Sequence, residues 1–350
     1  MNRVVIYNEF GQPLYVLAFA SVQCTTTLNE VGTATIETEE LPLEAVDTIC
    51  SSAANFVRIF YVRKGFFNEY KVLVWSGFLT GATVRRENSR TMTTLTAISA
   101  EDFLRRRYVL YRKEETPDNQ YRWYADGTAL GTIINGLLRN YQSDGQRFVS
   151  NPFPFTIIQD VQTVVTVPEI DTGERTPYEV LRTIIRRYGT YFKAVIEGTN
   201  SIRLIVRTLF SFPTPVALIT PSEPFLSEFR EEWRAADDGA LIVWYGGSSE
   251  PYQAASSFYN SARERIYRAN TSIQGEATFE AVSSLDPYPT KIRVISFSMK
   301  EPLHPDLLVT GNAVVVKNEF LYGNRALIKS VTYRSQNGTD EATVELTNVL

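Results

Sequence analysis

The sequence predicts a β-rich α+β fold: antiparallel strand regions, closed as barrels or sandwiches, at both ends of the chain and a small helix-containing unit between them. Three observations carry that expectation. Period-two alternation recurs from residue 28 to residue 99, strand-like runs return over the last sixty residues, two apolar stripes at helical spacing lie between, and Gly, Asn and Pro punctuate the runs.

The strand pattern is plainest in residues 28–99, which read LNEVGTATIE, ANFVRIFYVRKG, VLVWSGFLTGATVRR and SRTMTTLTAIS. Val31, Thr33, Thr35 and Glu37 alternate with Gly32, Ala34 and Ile36; Val57, Ile59 and Tyr61 alternate with Phe56, Arg58, Phe60 and Val62. Such alternation puts one face in a core and the other in water. The fourth run leads into AEDFLRRR, a short helix for which Ser99 is the expected N-cap. Glu101 and Asp102 would then be solvated first-turn charges, each offsetting the helix dipole by ~0.3–1 kcal/mol.

Residues 112–125 lose periodicity and read as a long exposed loop containing Trp123. In the following DGTALGTIINGLLRNYQ, the residues Leu130, Ile133, Ile134, Leu137, Leu138 and Tyr141 fall on one helical stripe, with Asp126 or Thr128 able to cap its start. A second helix has a fuller signature: Thr176 at the N-cap, Pro177 first, Glu179 closing a capping box, and Gly189 as the stop. Its core face is Leu181, Ile184, Ile185 and Tyr188. Two alternating strands then meet at a turn spanning Gly198 to Ser201. Leu241 to Tyr245 and several runs after residue 290 complete a second strand region. The expected divisions are 1–99, 100–207 and 208–350, the last split around an insertion at about 248–289.

Composition narrows the function. The formal net charge of −4 argues against a protein that coats nucleic acid, and only Cys24 and Cys50 are present, too few for a disulfide scaffold; buried free thiols are the expectation. No apolar run is long enough to cross a membrane as a helix, and Glu9, Gly11 and Pro13 interrupt what a signal peptide would need. Of the 35 basic residues 27 are Arg, the cation whose planar fork pairs with carboxylates and stacks on rings, so much of the surface is expected to serve protein contact.

Catalytic chemistry is poorly supplied. His304 is the single histidine and lies in a loop-like context; with two distant cysteines it cannot assemble a zinc site, and no nucleophile elbow accompanies it. The acidic pairs Glu101/Asp102, Glu114/Glu115, Glu231/Glu232 and Asp237/Asp238 are adjacent in sequence, which on a strand points them to opposite faces, unlike a glycosidase pair sharing one cleft. The run Gly246-Gly247-Ser248-Ser249 lacks the Lys of a phosphate loop and reads as a turn. Two basic clusters remain, Arg105-Arg106-Arg107 and Arg182 with Arg186-Arg187. Tyr108, Tyr111 and Tyr188 lie near enough to serve as stacking platforms for nucleic acid, but a solvated or protein-contacting face is the better reading.

The order of the motifs adds a resemblance. An LN-x-V-G-x-x-x-I strand, a V-R-I-F strand, a W-S-G-F-L-T-G strand and the T-A-I-S-A-E-D-F-L-R-R-R exit, followed by the two-helix region, resemble the N-terminal part of bacteriophage tail-tip hub proteins, the trimeric baseplate-hub family. The resemblance implies two tail-tube-like antiparallel β-barrels per subunit and a homotrimer. Six barrels would then form a quasi-sixfold ring that docks on a distal tail or tail-tube protein above and a central fibre or spike protein below, in the virion's tail tip. The ring would surround a channel for tape-measure protein and DNA in transit, with acidic walls. No enzymatic activity and no cofactor are implied, and any cell-wall degradation would fall to a separate protein. Partner contacts are expected at Arg105, Arg106, Arg107, Trp123, Arg182, Arg186, Arg187, Tyr259 and Arg263. A competing reading is a carbohydrate-binding or cell-wall-acting β-protein of the tail tip, using Trp75, Trp123, Trp233 and Trp244. In it Trp75 and Trp244 would be core and Trp123 the exposed platform.

Overall fold

A computed structural model describes residues 2–39, 41–64, 69–87, 90–108, 123–125, 127–138, 153–163, 165–167, 170–172, 175–188, 190–208, 214–234, 240–244, 252–254, 264–268, 292–300, 307–318 and 321–346. The N-terminal elements are β1 (Asn2–Tyr7), β2 (Pro13–Leu17), β3 (Ser21–Thr27), β4 (Thr33–Glu39), α1 (Leu43–Cys50), β5 (Phe56–Lys64), β6 (Glu69–Glu87) and β7 (Arg90–Ser99). A 3₁₀ helix, Ala100–Arg105, leads into the middle region of β8 (Trp123–Tyr124), β9 (Thr128–Ala129), α2 (Leu130–Leu138), β10 (Thr156–Gln162), β11 (Thr166–Val167), β12 (Ile170–Asp171), α3 (Pro177–Tyr188), β13 (Thr190–Glu197) and β14 (Ser201–Thr208). The remainder is strand: β15 (Ala217–Ile219), β16 (Leu226–Arg234), β17 (Ala240–Trp244), β18 (Tyr252–Ala254), β19 (Glu264–Arg268), β20 (Ile292–Lys300), β21 (Ala313–Asn318), β22 (Leu321–Gln336) and β23 (Thr339–Leu346).

The two strand regions expected as separate barrels are joined. β3 pairs antiparallel with β22, so one 13-stranded sheet runs in the order β16-β20-β23-β22-β3-β4-β7-β6-β5-β1-β2, with β15 and β21 attached beside β22. Among the described strands no pairing closes this sheet into a barrel. The physical reason lies in shared burial: Val22, Cys24, Ile36, Ile59, Trp75 and Leu95 from the first region and Ile295, Phe297, Val331, Tyr333 and Val344 from the last belong to one apolar cluster. Neither region closes its own core, so each supplies a wall for the other.

A second cluster fills the middle. It combines Leu130, Ile133, Ile134 and Leu137 of α2, Val180, Leu181 and Ile184 of α3, and Phe192, Ile196, Ile202, Leu204 and Val206 of β13 and β14 with Phe56, Phe78, Phe103 and Leu104 from the end of the large sheet. The α3 start forms as its sequence specifies. The Thr176 N–H donates to Glu179 Oε2 at 2.7 Å and the Glu179 N–H returns to Thr176 Oγ1 at 3.3 Å, so two helix-terminal donors are satisfied reciprocally. At the β13–β14 turn Gly198 has a φ of +57°, and β10 adds to β14 in parallel to complete a mixed three-stranded sheet.

Several expectations are corrected. Helix α1 was not expected, and strands β1–β3 were expected only as an undivided part of the strand region 1–99. Leu241 to Tyr245 was expected in the second strand region's barrel; β17 instead forms its own three-stranded sheet with β18 and β19, in the order β18-β17-β19. Trp244, expected in the core, is 38% exposed, because that small sheet leaves its face uncovered. The backbone of Trp123, expected in a loop, pairs with Asp171 in the two-residue strands β8 and β12. Cys24 is buried as expected, but Cys50 at the end of α1 is exposed; both are free. Tyr141, Gly189, Gly246 to Ser249, His304, Glu114/Glu115 and Asp237/Asp238 lie outside the described residues.

Replacing Thr176 by Ala removes the hydroxyl half of the capping box, and the expected cost is about 0.5–2 kcal/mol. Chemical denaturation reads it as a lowered midpoint at unchanged slope; an unchanged midpoint would show that tertiary packing alone sets the start of α3.

Candidate functional site

Two features distinguish the large sheet: a polar face built from cross-strand rows, and a seam where its end meets the free edge of β13. The face follows from period-two alternation on every contributing strand. Register gives four rows across it. Thr27, Ser330, Glu345, Ser296 and Arg230 form one, and Thr25, Thr332, Thr343, Ser298 and Glu228 the next. A third runs Gly81, Thr96, Thr35, Gln23, Arg334, Glu341 and Lys300; a fourth runs Thr83, Thr94, Glu37, Ser21, Gln336 and Thr339.

Every position in these rows is Ser, Thr, Gln, Gly or charged. The hydroxyls bond each other across strands: Thr25 Oγ1 and Thr332 Oγ1 are 3.0 Å apart, as are Ser298 Oγ and Thr343 Oγ1. The charges are largely cancelled on the face itself. Its carboxylates are Glu37, Glu228, Glu341 and Glu345 and its cations Arg230, Arg334 and Lys300, while Lys329 Nζ from β22 pairs with Glu345 at 2.6 Å. Ser21 Oγ donates to Glu37 Oε2 at 2.6 Å, and Arg334 donates to Gln23 Oε1 at 3.2 Å. On these rows the surface is hydroxyl-dominated and nearly neutral.

The seam is the second feature. One edge of β13 bonds β14; the other meets no strand among the described residues. Three of its outward N–H groups are each received by a side chain from the large sheet or the helix that follows it, and the Asn29 N–H adds one backbone bond, to Phe192 O at 3.3 Å. The Phe192 N–H donates to Asn29 Oδ1 at 2.7 Å, the Ala194 N–H to Glu101 Oε1 at 2.8 Å, and the Ile196 N–H to Ser76 Oγ at 3.1 Å. Asn29 can do this because it sits at a φ of +64°, a left-handed conformation Asn tolerates. Glu101, expected in solvent, is 7% exposed, a correction imposed by β13 packing over it. Burial pushes its carboxyl above the usual range, with the Ala194 N–H opposing. Ser99 occupies the N-cap position but makes no cap; its hydroxyl receives the Gly32 N–H at 2.8 Å.

Lys193 points the other way along the same seam. Its Nζ donates to Thr310 O at 3.0 Å, and burial holds its pKa below the ordinary lysine value. Next to it Tyr191 Oη donates to Gly311 O at 3.3 Å. Gly311 has a φ of +86° and a Cβ there would stand 2.8 Å from the tyrosine ring, so this close approach requires glycine. Glu101, Lys193, Ser76, Ser99 and Thr310 line one cavity of about 80 Å³.

The arginines of the first basic cluster face their own protein. The Arg105 guanidinium lies 4.1 Å from the Tyr178 ring centroid, Arg106 lies 4.0 Å from that of Phe78 and Arg107 5.2 Å from that of Phe153. Arg106 also pairs with Asp102 at 2.8 Å and donates to Ala53 O at 2.9 Å. Arg182 pairs with Glu30 at 3.7 Å across the same boundary. The side chains of Trp123, Trp233, Arg186 and Arg187, and all of Tyr259 and Arg263, lie outside the described residues. Trp75 is buried and donates from Nε1 to Thr25 O at 3.1 Å, so it offers no sugar platform. Tyr108 is exposed beside the cluster. Among the described residues no group of His, Cys, Asp and Glu could hold a metal.

Sequence reasoning missed the polar rows because no single strand shows them; register between strands far apart in the chain creates them. Glu101 was missed because its partner arrives 93 residues later.

No family model and no curated protein matches the sequence. Solved structures match over the whole chain. A 43 kDa tail protein of prophage MuSo2 from Shewanella oneidensis is 12% identical, with a TM-score of 0.60 over 99% of this chain and 97% of that one. A tail protein from Neisseria meningitidis is 10% identical, with a TM-score of 0.61 over 99% and 96%. The Escherichia coli c3393 protein is a type VI secretion component described as structurally similar to the bacteriophage tail proteins gp27 and gp5. It is 9% identical, with a TM-score of 0.51 over 95% and 74%. The chain has the fold of phage tail proteins.

Within the seam, Glu101→Ala and Glu101→Gln both remove the charge beside Lys193, but only Gln retains an acceptor for the Ala194 N–H. The Ala variant is expected to be less stable than the Gln variant by about 1–3 kcal/mol, measured by denaturant titration; equal stabilities would mean that the Ala194 bond contributes nothing.

Proposed function

We propose that this chain is a structural, non-enzymatic hub of a phage-type tail, placed at the tip of the virion's tail. Three copies form a ring around a central channel, each subunit contributing two tail-tube-like strand regions, divided from the middle unit at about residues 100 and 208. Threefold symmetry below and quasi-sixfold symmetry above then match a hexameric tube or distal tail protein to a central fibre or spike. The tape-measure protein and then DNA pass through the centre.

The observation that carries this reading is the polar face. A wall that releases a polyanion must not hold it, and the affinity of proteins for DNA comes chiefly from cations neutralising phosphates. The four rows place hydroxyls where a binding face would place unpaired Lys and Arg, and their charges are matched on the surface itself. An apolar wall would instead adhere to an extended polypeptide. The fold shared with tail proteins supports the same reading.

On this reading the partner contacts lie away from the channel. Arg182, with its neighbours Arg186 and Arg187, and the segment containing Tyr259 and Arg263 are the proposed ones. Trp244 and Ile266 share the exposed face of the small sheet β18-β17-β19 and extend that second surface.

Light scattering over a concentration series, followed by electron microscopy, should give a trimer with an open centre. A monomer at every concentration that also fails to form rings with a tube-end protein would end the hub assignment. The wall has its own test. The native ring should show no DNA retention at about 50 mM salt, whereas Thr35→Lys, Thr96→Lys and Thr343→Lys combined should bind DNA in a steeply salt-dependent way. Tight DNA binding by the native protein would contradict the wall.

A further inference from the structure

The free edge of β13 is held mainly by side chains, with one backbone bond, from the Asn29 N–H to Phe192 O at 3.3 Å, and this sets it apart from the strand junctions of the large sheet. Strand ladders there are backbone to backbone, and breaking one forces the strands apart. At β13 the three acceptors are Asn29 Oδ1, Glu101 Oε1 and Ser76 Oγ, each on a side chain that can rotate while its own backbone stays in place. Behind the edge the first apolar cluster contains no residue of β13, so a seam that opens there leaves it packed, while Phe192, Ala194 and Ile196 of the second cluster shift against Phe78 and Phe103.

The far side of the seam repeats this arrangement. Lys193 Nζ and Tyr191 Oη reach the carbonyls of Thr310 and Gly311, again single side-chain bonds to backbone. Between Lys193 and Glu101 lies the cavity of about 80 Å³, several times the roughly 10–15 Å³ that one water needs, and lined by Ser76, Ser99 and Thr310 as further partners. Lys193 spends one of its three donors on Thr310, and buried charged groups with spare hydrogen-bonding capacity draw water. A hydrated pocket at the joint offers the released groups replacement partners at once.

We propose that this seam is a latch: it opens as one cooperative step, swinging the edge of β13 away from Asn29, Ser76, Glu101 and the Thr310–Gly311 turn while the large sheet and the α2–α3 unit both stay folded. Local openings of this kind draw on the low-stability end of a protein's free-energy range and supply the motions that docking partners use. The apolar contacts of Phe56, Phe78 and Phe103 with the middle unit form the hinge that remains.

Amide hydrogen exchange on the full chain tests it residue by residue. The N–H groups of Phe192, Ala194 and Ile196 face the seam, while the residues between them pair with β14. Ser76→Ala removes only the acceptor of Ile196. A latch predicts that all three seam amides exchange faster together, by about tenfold, what the loss of one ordinary hydrogen bond gives, while the β14-facing amides and α3 stay protected. Lys193→Met removes none of the three acceptors and should accelerate the same three amides. Acceleration confined to Ile196 in the first variant would show independent caps and overturn the proposal. So would exchange of the whole middle unit and sheet in unison.

Discussion

The edge of β13 is the constraint on which the two halves of this architecture depend. A sheet edge exposes a row of unpaired backbone groups, and each buried N–H left without a partner costs about 1–3 kcal/mol. Three such groups at β13 set a penalty of roughly 3–9 kcal/mol, comparable with the ~5–15 kcal/mol by which a domain is stable at all. Asn29, Glu101 and Ser76 remove it. They come from the β3–β4 turn, the helix after β7 and the middle of β6, so the penalty is met only when the large sheet is already in register. The middle unit is thus positioned by the sheet, and its partly apolar boundary with Phe56 and Phe78 then packs.

Arginine in this chain works inward as much as outward. Arg58 lies over both Tyr7 and Phe56, at 4.9 and 5.1 Å from their centroids, and donates to Gly198 O, which ties the start of the sheet to the β13–β14 turn. Arg105, Arg106 and Arg107 each cover a different ring of the second cluster or packed against it. A guanidinium keeps its charge when it stacks on a ring and still has donors for carbonyls, which an ammonium on a flexible stem does less well. The excess of Arg over Lys was legible as a preference for contact; that much of the contact is internal was not.

What the sequence discloses here is what is local. The capping box at Thr176, the turn at Gly198 and the alternation in β4, β5 and β7 are decided within a few residues, and the structure has them. Glu101 shows the limit. In its own segment it is a first-turn acid indistinguishable from Asp102, which does stay partly exposed and pairs with Arg106; only the arrival of Ala194 separates the two. Ser99 fails as a cap for the same reason, being claimed by Gly32 from another strand. Trp244 fails in the other direction, since an apolar strand reads as core whether or not anything covers it. The polar face belongs to this class too, because alternation on each strand is visible but the rows depend on which strands become neighbours.

The pairing of β3 with β22 also governs the order in which the molecule can be made. Thr25 and Thr332 touch across 307 residues of chain. During synthesis, strands near the beginning can associate among themselves within seconds, but β3 keeps one flank vacant until a segment near the far end has left the ribosome. At typical elongation rates of about 5–20 residues per second that wait lasts tens of seconds. Through that interval the nascent polypeptide carries an unprotected Ser/Thr-rich strand whose polar outer face keeps it hydrated. The hydroxyls of Ser21, Thr25 and Thr27 therefore keep that strand's outer face in water until β22 arrives, while its vacant flank waits for a backbone partner.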